Sequence, residues 1–333
     1  MNLFTKVTAL ASASALVLSL AACGGGSGST PAPDTTTPAE GAATYTVGIC
    51  QQMTHEALDA ATLGFMDALN ELLPNQVEFL KQDAGGEYAN CGTIMDGFVA
   101  SDVDLILANA TYPLQAAASA TADIPVLGTS VTDYATALSI DGWTGTVGSN
   151  ISGTSDLAPL DQQAAMLQEL FPDAASVGLL YCSGEPNSVY QVETIQGHLE
   201  DMGYACTQYA FTDVNDLSSV AQTACDGSDV LYIPTDNTAA ANTETIANVV
   251  LPAGVPVITG EVGLCTGCGV ATLSISYYDI GYKTGEMAAQ ILTGEADIST
   301  MPVEYAPNVT KMYNAANCET LGLTMPEDYE AIA

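Results

Sequence analysis

Amides, hydroxyls and carboxylates recur in this chain just beyond short apolar runs. Gln51 and Thr54 follow the first run, Thr111 a later one, then Thr132 and Asp133, then Glu185, Asn187 and Ser188, then Asp236 and Asn237, and finally Glu261. Brought together, such side chains hold a zwitterion: carboxylates face an ammonium, while Ser, Thr and the N–H groups of helix starts hold a carboxylate. Tyr112, Tyr134, Trp143, Tyr277 and Tyr278 lie near the same loops, or near segments that link the two halves, and offer flat faces to an apolar side chain. Taken singly, each Ser, Thr, Asp or Asn is also a natural helix N-cap, and it is their convergence that points to binding. Glu185 and Asp236 also admit an acid/base pair, which spacing does not separate from ammonium binding or plain solvation. His55 opens a helix and reads as a structural or capping residue. There is no G-x-S-x-G elbow, no HExxH and no P-loop, so no catalytic residue, metal or cofactor is expected.

The elements that must position these residues alternate. Strands are expected at 45–50, 76–82, 104–109, 125–130, 176–182, 204–211, 229–233, 255–260 and 269–275, with helical apolar spacing between them. Leu58, Ala61, Phe65, Leu69 and Leu72 form one such stripe; Leu157, Leu160, Ala164, Leu167 and Phe171 form another; Ile280, Thr284, Met287 and Ile291 form a third. Alternating βα units predict an α/β protein with parallel sheet. VGIC at 47–50 and VGLLYC at 177–182 each lead through a loop and a helix to another strand, so the halves echo one another. Two doubly wound parallel-sheet lobes facing a central cleft are one reading and a single long sheet is the other. In the first, the strand C-terminal ends surround the cleft. Residues 139–156, rich in Gly, Ser and Thr, read as a crossing segment.

Ahead of the α/β pattern, residues 1–22 carry Lys6, an apolar stretch and small residues, the pattern of a secretory signal and too short for a membrane span. The string Leu20, Ala21, Ala22, Cys23 resembles the lipobox of bacterial lipoproteins, which implies lipidation of Cys23 and attachment to the outer face of the cell membrane. Residues 24–43 have a linker composition of Gly, Ser, Thr, Pro and Ala, so 23–43 reads as a lipidated cysteine with a disordered tether. About 290 residues remain for folding.

The chain has 39 acidic residues against four lysines and no arginine, a formal charge of −35 that excludes nucleic acid as a partner. Without a guanidinium fork, a ligand carboxylate falls to backbone N–H groups and hydroxyls. Cys50, Cys91, Cys182, Cys206, Cys225, Cys265, Cys268 and Cys318 are an even set in an exported chain and read as disulfide formers, although eight cysteines allow 105 pairings. Cys265 and Cys268 form a CxxC with no second half-site for a metal.

The loop motifs carry a resemblance to a known family. THEALDAATLGF (54–65), SGTSDLAPLDQQ (152–163), SGEPNSVYQVE (183–193), YIPTDNT (232–238), ITGEVG (258–263) and SYYDIGYKTGEMAAQIL (276–292) are similar to the tryptophan/tyrosine-type substrate-binding proteins of ABC transporters. The sequence departs from that pattern at Glu56, Tyr134 and Val262. The resemblance implies the type I periplasmic-binding fold: a first lobe of 44–150 plus about 276–303, a second of 151–275 plus about 304–333, and three crossings. It implies that Glu185, Asn187, Ser188, Asp236, Asn237 and Glu261 line the second-lobe side of the cleft, with Gln51, Thr54, Thr111, Thr132 and Asp133 opposite. The implied function is hinge closure on a small zwitterion, an aromatic amino acid (tryptophan, tyrosine or phenylalanine), by a monomer that delivers it to an ABC permease and its ATPase subunit. Two other readings are a lipoprotein receptor that senses the same ligand for a membrane signalling protein, and a lipid-anchored enzyme.

Overall fold

The computed structural model describes residues 44–332; the expected leader, the Cys23 anchor and the tether lie outside them. The first run of elements is β1 (Tyr45–Gln51), α1 (Glu56–Leu72), β2 (Val77–Asp83), α2 (Tyr88–Ala100), β3 (Leu105–Asn109), α3 (Thr111–Ala120), β4 (Val126–Val131), α4 (Tyr134–Leu138) and β5 (Ile151–Ser155). The second is α5 (Leu160–Leu170), β6 (Ser176–Cys182), α6 (Pro186–Asp201), β7 (Ala205–Phe211), α7 (Val214–Gly227), β8 (Val230–Ile233), α8 (Asn237–Ala240), α9 (Thr243–Ala253), β9 (Val257–Thr259), α10 (Val262–Gly267) and β10 (Ala271–Ser274). The chain then makes α11 (Tyr277–Leu292), β11 (Glu304–Tyr305), β12 (Thr310–Tyr313), α12 (Ala315–Leu321) and β13 (Glu330–Ala331).

Two sheets result, in the orders β11-β5-β4-β3-β1-β2 and β13-β12-β10-β9-β8-β6-β7. All pairings are parallel except β10 with β12. Central strands such as β3 and β4 are buried along their whole length, as sheets covered by helices on both faces require. The edge strand β2 instead exposes Lys81, Gln82 and Asp83, which discourage pairing with another chain. This is the α/β architecture that the alternation predicts, with two sheets rather than one.

One expectation is corrected. Residues 151–155 are not part of a crossing but the strand β5, which pairs with β4 and β11 in the first sheet. Both β5 and Glu304–Tyr305 therefore sit in the first sheet, where the expected boundaries put them in the second lobe. The strand has almost no apolar residues, yet its hydroxyls find partners: Ser152 donates to the Met301 carbonyl at 3.0 Å, Thr154 bonds Thr129 and Thr284 at 3.2 and 2.8 Å, and Ser155 donates to the Thr132 carbonyl at 2.8 Å. The chain crosses between sheets at 156–159, 275–276 and 306–309. Ala158, Ile275, Ala306 and Val309 from these crossings cluster with Tyr277, Ile280 and the Ala57–Ala61 face of α1 in one small apolar hub.

Beyond the hub, α11 lies directly on α1. A Cβ added at Gly281 would sit 2.0 Å from the Ala61 carbonyl oxygen, and one at Gly64 2.1 Å from that of Tyr278, so glycine alone permits this approach. The eight cysteines are free thiols, so the expected disulfides are not formed in this structure.

Candidate functional site

The C-terminal ends of strands from both sheets meet around a small enclosed cavity. His55 and Leu58 of the first lobe, Ser130 and Thr132 at the end of β4, and Asp156 on the first crossing line one side. Asn187, Thr235, Asp236, Asn237 and Glu261 line the other, with Tyr277 at the second crossing. A register shift between Gly128 and Val131 bends the end of β4, and Ser130 adopts a left-handed backbone (φ 54°) there. A bulge of this kind re-aims side chains at a strand end, and such strain concentrates at functional positions.

Three buried atoms on these lining residues have no hydrogen-bond partner among the described residues: Ser130 Oγ, Asp156 Oδ1 and Asn187 Oδ1. A buried polar atom left unpaired costs about 1–3 kcal/mol, and native interiors rarely tolerate it without a reason. Three around one cavity mark it as the candidate site for a polar partner. Asp156 is anchored by its other oxygen, which accepts from the Tyr277 hydroxyl at 2.9 Å.

Of the residues expected to bind, the structure brings Thr132, Asn187, Asp236, Asn237 and Glu261 to the cavity. Several are already engaged. Asp236 caps α8, its Oδ1 accepting from Ala239 N–H at 2.8 Å and its Oδ2 from Cys182 N–H at 2.6 Å. Glu261 caps α10 through Gly263 N–H at 2.6 Å and Leu264 N–H at 2.5 Å. Glu185 faces an outer groove instead, its carboxylate accepting from the N–H and side-chain groups of Asn237 and Thr238. Ser188 is fully buried behind Asn187.

On the first lobe, Gln51 turns inward to Asp59 and Thr62 at 2.6 and 2.8 Å. Thr54 donates to Asp83 at 2.8 Å in the outer groove, Thr111 is buried at the start of α3, and Asp133 caps α4 by accepting from Thr136 N–H at 2.7 Å. None of these four lines the cavity. The aromatic residues also separate: Tyr134 stacks on Trp143 within the first lobe, Tyr278 reaches Asp67 on the surface, and Tyr277 meets the cavity with its hydroxyl engaged by Asp156. Ser130 and Asp156 were absent from the expected set. Asp156 falls within the SGTSDLAPLDQQ motif, and its place beside a crossing was the available signal.

Charge at the cavity is one-sided. Burial pushes the Asp236 carboxyl up to about 7, with Glu185 adding repulsion, and burial also lifts Glu261 to about 7, with Glu56 and Asp156 adding to it. Burial raises Asp156 as well and lowers the His55 imidazole. No lysine lines the cavity among the described residues. A cationic group entering this space meets acceptors and carboxylates without a resident competitor.

Two hydrogen bonds join the lobes at the lips. His55 Nε2 lies 3.1 Å from Asn237 Oδ1, and the Tyr112 hydroxyl donates to the Gly184 carbonyl. The lobes are therefore closed on each other.

Two α/β lobes that clasp a buried polar cavity, joined by three crossings through one apolar hub, define a type I periplasmic-type binding protein. Residues 46–333 match the family model of the ABC transporter substrate binding proteins, and the chain belongs to that family. A tyrosine-binding protein of Clostridioides difficile (strain R20291) is 31% identical over 260 residues, spanning 77% of this chain and 75% of that protein. Among solved structures, an ABC domain in complex with L-Trp from Streptococcus pneumonia is 28% identical and superposes with a TM-score of 0.83, covering 87% of this chain and 100% of that one. A ligand-free, open substrate-binding protein with adhesive properties from Clostridium difficile is 32% identical, covers 87% of this chain and 99% of that one, and superposes with a TM-score of only 0.67. The more identical sequence superposes less well, as expected if closed lobes are compared with open ones.

Proposed function

We propose that this protein is the solute-receiving subunit of an importer: it closes its lobes on a small zwitterion with an aromatic side chain and hands it to a membrane permease. The observation that carries the reading is the partnerless Asp156 Oδ1 in a buried cavity with no resident cation among the described residues, which suits an ammonium. The names of the tyrosine-binding relative and the tryptophan complex support an aromatic amino acid. Closure draws its free energy from ligand contacts to both lobes at once. An acid/base role for Glu185 and Asp236 has less support, because helix α8 and Cys182 already occupy their oxygens.

We also place the protein at the outer face of the cell membrane as a monomer held through Cys23. Among the described residues no helix is long and apolar enough to cross a membrane. Radiolabelled palmitate incorporation that disappears in Cys23→Ala tests the anchor.

Thermal shift and calorimetry against tryptophan, tyrosine, phenylalanine, leucine, a purine and a sugar test the ligand. A selective response to an aromatic amino acid is expected. Response to another solute alone overturns the aromatic assignment, and release of a chemically altered ligand overturns the binding-only reading.

A further inference from the structure

Of the eight thiols in the described residues, three turn to backbone carbonyls, and Cys265 lies near two of these three, Cys268 and Cys318. Cys182 donates to Thr212 O, Cys268 to Leu264 O and Cys318 to Val270 O. Cys50 and Cys91 are different. Cys50 is the penultimate residue of β1 and Cys91 lies in the first turn of α2; both are fully buried in the same core cluster. Gly48, two residues before Cys50 on the same face of β1, is covered by Phe98 of α2, 2.7 Å from where its Cβ would be, and Cys91 lies two turns before Phe98 on that helix, so both thiols belong to the layer between β1 and α2.

The backbone holds them there. Ala84 N–H donates to Gln51 O at 2.9 Å, Glu87 N–H donates to Ala84 O at 3.3 Å, and Cys91 N–H donates to Glu87 O at 3.3 Å. Asn90 Nδ2 also donates to Ala84 O, at 2.9 Å. This chain of bonds ties the start of α2 to the end of β1, so the two cysteines are placed by the fold itself and not by the reach of a mobile loop.

We infer that Cys50 and Cys91 form a disulfide site, the pairing that the fold selects from the many that eight cysteines allow. In the reaction, a Cys91 thiolate attacks a sulfur of a donor disulfide, such as oxidised glutathione or an exported thiol oxidase, and expels one donor thiol. Cys50, after losing its proton, then attacks Cys91 Sγ in that mixed disulfide and expels the second donor thiol. The protein loses two electrons and two protons, and the donor gains them.

Because both sulfurs are inaccessible in the folded chain, the bond forms while β1 and α2 come together, and afterwards resists reductants. Its consequence reaches the cleft. Cys50 directly precedes Gln51, and the loop from there to α1 carries His55, so the cross-link braces the first-lobe side of the cavity.

The test is peptide mapping of the full-length protein after refolding in a glutathione redox buffer and, in parallel, after export from its host. Trypsin is of little use on a chain with four lysines and no arginine, so a Glu-specific protease and pepsin are used. One linkage joining the Cys50 and Cys91 peptides, with the remaining thiols alkylated, is expected. Cys50 and Cys91 both alkylated under both regimes, or a linkage elsewhere in place of this one, overturns the inference. As a second readout, wild type melts several degrees higher oxidised than reduced, and the difference vanishes in the Cys50→Ala, Cys91→Ala double variant. A difference that persists unchanged in that variant also overturns it.

Discussion

The Tyr277 hydroxyl donates to Asp156 Oδ2 at 2.9 Å, and the two residues belong to different passages between the lobes. Held by that oxygen, Asp156 keeps Oδ1 free of any described partner and on the wall of the cavity. Asp156→Asn is expected to weaken binding of an aromatic amino acid by about 2–4 kcal/mol, because a buried ammonium loses its counter-charge. Tyr277→Phe, which only loosens the aspartate, is expected to cost about 1 kcal/mol. Calorimetry checks both; equal affinity in Asp156→Asn and wild type would sink the ammonium assignment.

The lips make a separable contribution. The hydrogen bond from Tyr112 to the Gly184 carbonyl touches no cavity residue, so Tyr112→Phe removes closure energy without removing a ligand contact. A loss of about 1 kcal/mol is expected, mainly as faster dissociation. Stopped-flow release of ligand measures it, and small-angle scattering of the ligand-free variant is expected to show a larger open fraction.

Acid should stabilise the ligand-free protein. Asp236 and Glu261 rise from 3.8 and 4.5 to about 7, so the folded protein holds protons that the unfolded chain has released. Between about pH 4 and pH 7 the stability these groups contribute therefore falls as pH rises, by about 1.4 kcal/mol for each tenfold gain in proton affinity that folding confers. Exposed carboxyls held low by hydrogen bonds, such as Asp229 on Ser176 and Ala175, titrate below that window, and the buried His55 imidazole, held low, opposes the trend within it as one group against these two. A melting temperature that climbs from pH 4.5 to 7.5 without ligand would contradict the prediction. Ligand reverses the trend: an ammonium favours the ionised carboxylates, so affinity is expected to increase through pH 7.

Packing of α11 on α1 leaves no room for a side chain. Gly281→Ala is expected to destabilise the protein by about 2 kcal/mol or more, since its Cβ meets the Ala61 carbonyl oxygen at 2.0 Å. Gly197→Ala, on α6 with open space around it, is the control and should be neutral or slightly stabilising. Urea denaturation of both variants settles the comparison.

The strands that alternate with helices were legible in the sequence because covered parallel strands are short apolar runs, and nine of them lie within a few residues of the expected ranges. β5 was not legible: Ser152, Gly153, Thr154 and Ser155 carry the composition of a loop, and only tertiary hydroxyl partners make them a buried strand. The candidate site divides the same way. Position after a strand brought Thr132, Asn187, Asp236, Asn237 and Glu261 to the cavity, but also suggested Gln51, Thr54, Thr111 and Asp133, whose polar groups serve local turns, caps or the first-lobe interior. A cap and a ligand contact use the same residue types at the same place, so type and position alone do not separate them. Asp156 was hidden because its role depends on which oxygen Tyr277 takes, a relation across more than a hundred residues.

The hub of Ala158, Ile275, Ala306 and Val309 lies beside Asp156 and Tyr277 in the chain. Points near a pivot barely travel when two bodies rotate, whereas the lips that carry Tyr112 and Gly184 sweep the full arc. On the function proposed above, capture would divide into two events in time: the charged end of a solute would be gripped at the stationary axle, and its far end inspected only as the jaws arrive. A solute with the right head and the wrong tail would then be held briefly and let go.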